Sequence, residues 1–195
     1  MPNQFASEGG LFIGLMSGYF RRVDAVVMRL MDGLMAIPAI LLAIALVALT
    51  RASVSTVIFA ITIPEIPRVV RLVRAVVLSV REAPYVEAAV AGGTPTWKIL
   101  LRHIVPNTIA PLIVQATYIC ASAILIEAAL SFLGAGTPPE IPTWGNMIAQ
   151  SRLFLSRAPW TIFCPGIALA LVVLAVNLLG DGLRDRLDPR LARRM

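Results

Sequence analysis

Long stretches without a single charge constrain this chain more than any other feature. Gly33 to Thr50 runs eighteen residues between Asp32 and Arg51. Ala52 to Pro64 runs thirteen and is extended by the largely apolar stretch from Val69 to Val80. Asn107 to Ile126 runs twenty, and Ala128 to Pro139 continues it past Glu127. Ala158 to Gly180 runs twenty-three. A helix crosses roughly 30 Å of hydrocarbon with about 20 residues. The expectation is therefore an all-α, polytopic transmembrane bundle with about four full spans. An apolar stub, Leu11 to Phe20, precedes them and is too short to span. Composition agrees: 58% of residues are apolar and only 14% charged, against about a quarter charged in soluble domains.

The basic residues divide unevenly between the two sides of such a bundle. Arg21, Arg22 and Arg29 precede the first run, and Arg68, Arg71, Arg74, Arg81, Lys98 and Arg102 separate the second from the third. Arg184, Arg186, Arg190, Arg193 and Arg194 follow the fourth. These fourteen fall on one side, and only Arg51, Arg152 and Arg157 on the other. The positive-inside rule puts the fourteen in the cytosol, with both chain ends and the Arg81–Asn107 loop. The net charge of +6 is thereby explained without a nucleic-acid partner, and the apolar faces need membrane lipid.

Several chemistries are poorly supported. Cys120 and Cys164 lie inside apolar runs and read as small hydrophobes. One histidine and no Cys/His cluster argue against zinc. No Gly-rich loop ends in Lys-Ser/Thr, so the chain itself offers no nucleotide-hydrolysing site. No nucleophile–base pair stands out, and neither an enzyme activity nor a cofactor is expected.

Pro64 and Pro67 remove two backbone donors and should kink the second span. Arg68, Arg71 and Arg74 then follow at three-residue spacing, either as a helix leaving the bilayer toward a partner or as snorkelling anchors. Glu65, one turn from Arg68, is placed to pair with it.

The loop from Arg81 to Asn107 carries the densest local signals. Pro84 suits a first helical position. Glu82 and Glu87 favour the helix dipole there. Gly92-Gly93 should end that helix. Thr94-Pro95 reads as the cap and first residue of a second helix. In it Trp97, Leu100, Leu101 and Ile104 form one apolar stripe. Pro106 marks the boundary before the next span. From these residues alone, a partner-docking unit and an amphipathic helix lying on the bilayer both remain open.

The order Glu87-Ala88-Ala89, Gly93, then Pro106 in RHIVPN resembles the EAA loop of permease subunits in bacterial ABC importers. SFLGAGTPPEIPTWGNMI (131–148) and NLLGDGLRDRLDPRL (177–191) strengthen the likeness to the dipeptide, oligopeptide and nickel branch. The resemblance implies a permease subunit in the bacterial inner membrane. Its partners would be a second permease, two ATP-binding cassette ATPase subunits and an extracytoplasmic binding protein. Glu87, Ala88, Ala89, Gly93 and Pro106 would form the ATPase-coupling site. Val105 replaces the usual leucine before the loop proline, and Gly92 stands where a larger apolar residue is common. Members of this branch have six spans. Residues 11–195 thus resemble a permease domain incomplete at its N-terminal side, and residues 1–10 match nothing.

Two rival functions remain. One is an ion-coupled secondary transporter with Glu127 and Asn177 as its polar centre. It lacks paired interrupted helices in matching halves and leaves the Arg81–Asn107 loop unexplained. The other is a truncated fragment that transports nothing. Trp144 and Trp160 read as outer-interface anchors, with the stretch PPEIPTWGN (138–146), whose prolines forbid a regular helix, as an outer loop.

The charge asymmetry makes a direct prediction. In a variant lacking Cys120 and Cys164, single cysteines at Thr94 and Thr143 should react with impermeant thiol reagents from opposite faces of the membrane. Labelling of both from one face would overturn the topology.

Overall fold

A computed structural model describes residues 2–50 and 53–187. Arg51, Arg190, Arg193 and Arg194 of the charge count lie outside the described residues, as does the end of the 177–191 motif. The helices are α1 (Pro2–Tyr19), α2 (Arg21–Ala36), α3 (Ala39–Leu49), α4 (Val54–Arg81), α5 (Pro84–Ala91), α6 (Thr96–Ile99), α7 (Val105–Phe132), α8 (Trp144–Ser151) and α9 (Trp160–Leu187). A π turn, Leu100–Ile104, joins α6 to α7, and a 3₁₀ turn, Arg152–Phe154, follows α8.

Among the described residues two helices are long and apolar enough to cross a membrane: the continuous run Thr96–Phe132 and α9. The first contains the third charge-free run, and α9 holds the fourth from Trp160 on. From Val54 on, the second run lies in α4, whose 28 residues reach about 42 Å. The chain stays helical through Pro64 and Pro67.

The first run is divided. Gly33 to Ala36 belongs to α2, and α3 turns away from it by 86°. Pro38 explains the break, since a proline disfavours helical geometry in the residue before it. Ile37 is extended, at φ −89° and ψ 126°. α3 alone, eleven residues long, reaches only about 16 Å. The bent pair α2–α3 counts as one further span at most.

The apolar stub is part of a longer helix, α1, and it packs closely on α4. A Cβ on Gly10 would lie 2.6 Å from Val69. On Gly14 it would lie 2.7 Å from Val73, and on Gly18 2.6 Å from Val77. The three pairs ascend together, so the helices run parallel. Glycines at four-residue spacing remove side chains from one stripe and let two backbones approach. The valines answer at the same spacing on α4, all nearly fully buried.

α2 is tied to α4 by charge. Arg74 pairs with Asp24 through two contacts, its Nη2 2.6 Å from Oδ2. Arg71 pairs with Asp32. Arg68 reaches back to Glu65 at 3.0 and 3.2 Å. Glu65 is fully buried, so that ion pair shields a charge that would otherwise be costly to bury. Each arginine of the row thus has an acidic partner within the described residues.

α7 runs antiparallel to α4: Ile104 shares a buried cluster with the last valines of α4, and Leu130 shares another with Val57 and Ile61. α9 lies along α7 where Gly180 meets Thr117. Thus α2, α5 and α6 gather at one end of the bundle and α8 at the other.

Gly14→Ala should lower the unfolding midpoint in detergent, because overpacking a tight contact costs roughly 1–3 kcal/mol. Gly33→Ala on α2 meets nothing within 4 Å and should leave the midpoint level or raise it. Equal midpoints for both variants would remove the close α1–α4 contact.

Candidate functional site

At the α5 end the chain leaves α4, makes a short hairpin of helices and returns as α7. Ala83 is extended and Pro84 takes the first helical position, as the sequence indicates. The Val86 and Glu87 amides donate to the Ala83 carbonyl at 2.9 and 3.1 Å. Eight residues later α5 stops at paired glycines. The Gly93 amide donates to the Val90 carbonyl and the Thr94 amide to the Ala89 carbonyl, both at 3.0 Å. This is a Schellman turn, which needs a left-handed residue at its pivot. Gly93 supplies it, at φ 75°.

The second short helix differs from expectation in two respects. Its cap is Pro95, not Thr94: Pro95 is extended, and α6 begins at Thr96. Thr94 precedes a proline and is held out of helical geometry. The apolar stripe also splits. Leu100 and Ile104 are buried together with Ile99, whereas Trp97 is 59% and Leu101 62% exposed. The π turn causes this. The Val105 amide bonds to the Leu100 carbonyl, five residues back, so the wider turn rotates the following side chains out of the 3.6-residue phase.

The hairpin therefore has an anchored side and an open side. Val86, Ile99, Leu100 and Ile104 join Val73 and Val77 of α4 in one apolar cluster. Glu87, Ala88 and Gly93 are exposed and Ala89 is half-buried. Tyr85, Val90, Trp97 and Leu101 are exposed around them. Four of the five expected site residues thus share α5 and its terminal turn. Pro106 lies apart, exposed at the foot of α7. It borders a cleft of about 600 Å³ with Asn107, Pro111, Gln115 and Arg184. The helical run continues through Pro106 rather than starting there.

Asn107 is a contributor that the sequence did not single out. Its Nδ2 donates to the His103 carbonyl at 2.6 Å and to Tyr85 Oη at 3.4 Å. It links the start of α5 to the foot of α7. His103 faces Tyr85, ring centroids 6.0 Å apart.

The α8 end is built around a second polar group. α7 ends in another Schellman turn, with Gly134 at φ 79° and the Ala135 amide on the Leu130 carbonyl. No regular helix forms over 133–143, but the expected loop of 138–146 ends early: Trp144, Gly145 and Asn146 are already in α8, beyond the last proline, Pro142. Thr143 caps α8 by accepting from the Asn146 amide at 3.2 Å. Asn146 Nδ2 then lies 3.0–3.3 Å from the carbonyls of Thr137, Pro138 and Ile141 and from Thr137 Oγ1. Under this clamp, Glu127 Oε1 accepts from Ser131 Oγ at 2.7 Å and Thr137 Oγ1 at 3.3 Å. Glu127 and Asn177 share no hydrogen bond among the described residues, so the structure does not join them into one polar centre. Trp144 lines a cavity beside Glu127, a role the sequence did not suggest.

Comparison with known proteins follows the same lines. Residues 10–193 match the family described as binding-protein-dependent transport system inner membrane component. The chain is 63% identical over 178 residues to a probable peptide ABC transporter permease protein, y4tQ, of Sinorhizobium fredii, covering 91% of this chain and 61% of that one. It is 46% identical over 192 residues to a dipeptide transport system permease protein, DppC, of Alkalihalophilus pseudofirmus, covering 96% and 63%. The chain thus spans about three-fifths of the length of the curated relatives it matches. The fold resembles a chain of the inward-facing MetNI methionine ABC transporter, with TM-score 0.65, 18% identity, and coverage of 96% of this chain and 91% of that one. With nearly its whole length matched and its helical fold shared, the chain belongs to the family of binding-protein-dependent transport system inner membrane components.

Proposed function

We propose that this chain acts as a membrane permease subunit of an ATP-driven importer, supplying half of a pathway for peptides or a related small solute. The observation that carries the reading is the two-sided hairpin at the α5 end. Its outer side offers Glu87, Ala88, Ala89 and exposed aromatic and aliphatic side chains, while Val86 behind them is almost fully buried. Small residues beside large exposed apolar ones suit docking into a cleft of another protein. The names of the relatives, peptide and dipeptide permeases, give the solute class.

In this reading the α5 end faces the cytosol and meets one of two ATPase subunits, which hydrolyse ATP. The chain itself performs no covalent chemistry. Closure of the ATPases displaces the hairpin. Because the underside of the hairpin is packed on α4 and runs directly into α7, the displacement tilts both helices. The pathway, shared with a second permease, then opens toward the α8 end, where a binding protein delivers the solute. Residues 11–195 form the permease domain, and Pro106 with the cleft beside it marks where the hairpin's motion enters α7.

Two substitutions test the assignment in the importer assembled with its partner subunits. Glu87→Lys should leave membrane insertion intact, weaken ATPase co-purification and reduce ATP-dependent uptake at least about tenfold, by placing a like or mispaired charge at a docking surface. Gly93→Val should act similarly because a β-branched residue strains the left-handed pivot. Gly93→Asn should retain more uptake than Gly93→Val, since asparagine tolerates that geometry. Normal uptake in Glu87→Lys and Gly93→Val would remove the coupling role.

A further inference from the structure

The cavity at the α8 end is bounded by α4, α7, α8 and the loop that Asn146 clamps. It measures about 580 Å³, within the range of sites for small ligands. Val57, Ile61, Ile124, Trp144 and Met147 give it apolar walls, and Glu127 is its carboxylate. Both hydrogen bonds recorded for that carboxylate, from Ser131 and Thr137, fall on Oε1. Among the described residues no cationic side chain pairs with Glu127; the ion pairs there join Arg68 to Glu65, Arg71 to Asp32 and Arg74 to Asp24.

Glu127 is half-buried, and the aliphatic walls beside it offer its carboxylate no donors. Here two hydroxyls fix one oxygen and set the orientation of the group, and among the described residues no donor reaches Oε2. We propose that this cavity is a subsite for an organic ammonium, the free amino terminus of a short peptide. Glu127 Oε2 accepts from the ammonium and the apolar walls receive the adjoining side chain. The volume limits the occupant to about the size of a dipeptide or tripeptide. The naming of a peptide rests on the proposed transport function; the preference for an ammonium rests on Glu127 and its surroundings alone.

The test is binding of leucyl-leucine and N-acetyl-leucyl-leucine to the purified chain in lipid nanodiscs, by calorimetry. The free amine should bind at least about tenfold more tightly, the range for a hydrogen bond to a charged group. Glu127→Gln keeps the shape and the Oε1 acceptor, and should remove the preference while leaving the acetylated peptide unaffected. Met147→Trp should fill the cavity and weaken both. Glu140→Gln, an exposed carboxylate on the same loop outside the cavity lining, should change neither. Unchanged discrimination in Glu127→Gln, or no binding of either peptide, would overturn the subsite. So would carbodiimide cross-linking of Glu127 to a lysine of the second permease, which would make the cavity an interface. Amine-selective binding without ATP-dependent uptake by the assembled importer would keep the subsite and remove the transport reading. Normal uptake with a Glu127→Gln variant that still discriminates would do the reverse.

Discussion

Val69, Val73 and Val77 stand one helical turn apart on α4, and two separate parts of the chain press against that ridge. From one side come Gly10, Gly14 and Gly18 of α1, whose missing side chains let the backbones approach. From the other come Val86, Ile99, Leu100 and Ile104 of the hairpin. Lipid offers no hydrophobic drive for helices to associate, so association depends on close packing and internal pairing of polar groups. A β-branched ridge is well suited to this, because its side chains are nearly fixed in a helix and lose little freedom when buried. Removing the ridge would release both α1 and the hairpin.

The ion pairs of α2 act on the same helix. Arg74 with Asp24 is the more buried of the two long-range pairs, at 30% and 20% side-chain exposure, against 44% and 59% for Arg71 with Asp32. Exposed pairs contribute little, about 0–1 kcal/mol, so Arg71–Asp32 serves to orient α2 more than to stabilise it. Arg74 bonds both carboxylate oxygens, a geometry that also fixes direction. α2 is therefore fixed to α4 at two points, and after the break at Pro38 α3 packs on Val57 and Ile61 nearer the start of α4. In the proposed function, a force on the hairpin reaches α4 and α7 directly, and α1 and α2 follow through glycine contacts and salt bridges.

How much of this was legible depends on the range of the interaction involved. Charge-free run lengths identify an all-helical bundle and locate α7 and α9, because the bilayer imposes a length on the sequence itself. Local backbone chemistry was equally legible: Pro84 begins α5, Gly93 ends it, and the prolines of the α8 loop prevent a helix. The stub before Arg21 was read by length alone, as too short to span, and α1 is not among the candidate spans; the spacing of Gly10, Gly14 and Gly18 that fits α1 to α4 is a packing signal that length does not show. The partners of Arg71 and Arg74 lie 39 and 50 residues away, beyond any periodicity. The split of Trp97 and Leu101 from Leu100 and Ile104 depends on a π turn, and a stripe drawn at 3.6 residues cannot show a local change of phase. The candidate coupling residues came from a motif order and not from physics. What the structure adds is their setting: four lie on one short helix and its turn, with a buried underside and an open face.

The two ends of the bundle use the same device for different purposes. Each closes a helix with a left-handed glycine, Gly93 at the α5 end and Gly134 at the α8 end. After Gly93 the chain enters a four-residue helix whose cap, Pro95, makes no side-chain hydrogen bond, so the hairpin depends on its apolar underside for placement. After Gly134 the chain is tied by polar bonds. Asn146 binds loop acceptors, Thr143 caps α8, and Ser131 with Thr137 holds Glu127. A segment held by directional hydrogen bonds resists small displacements until several bonds yield together. The α5 end is thus placed mainly by apolar packing and the α8 end by directional hydrogen bonds. In the proposed function, the first receives the displacement and the second holds the recognition geometry.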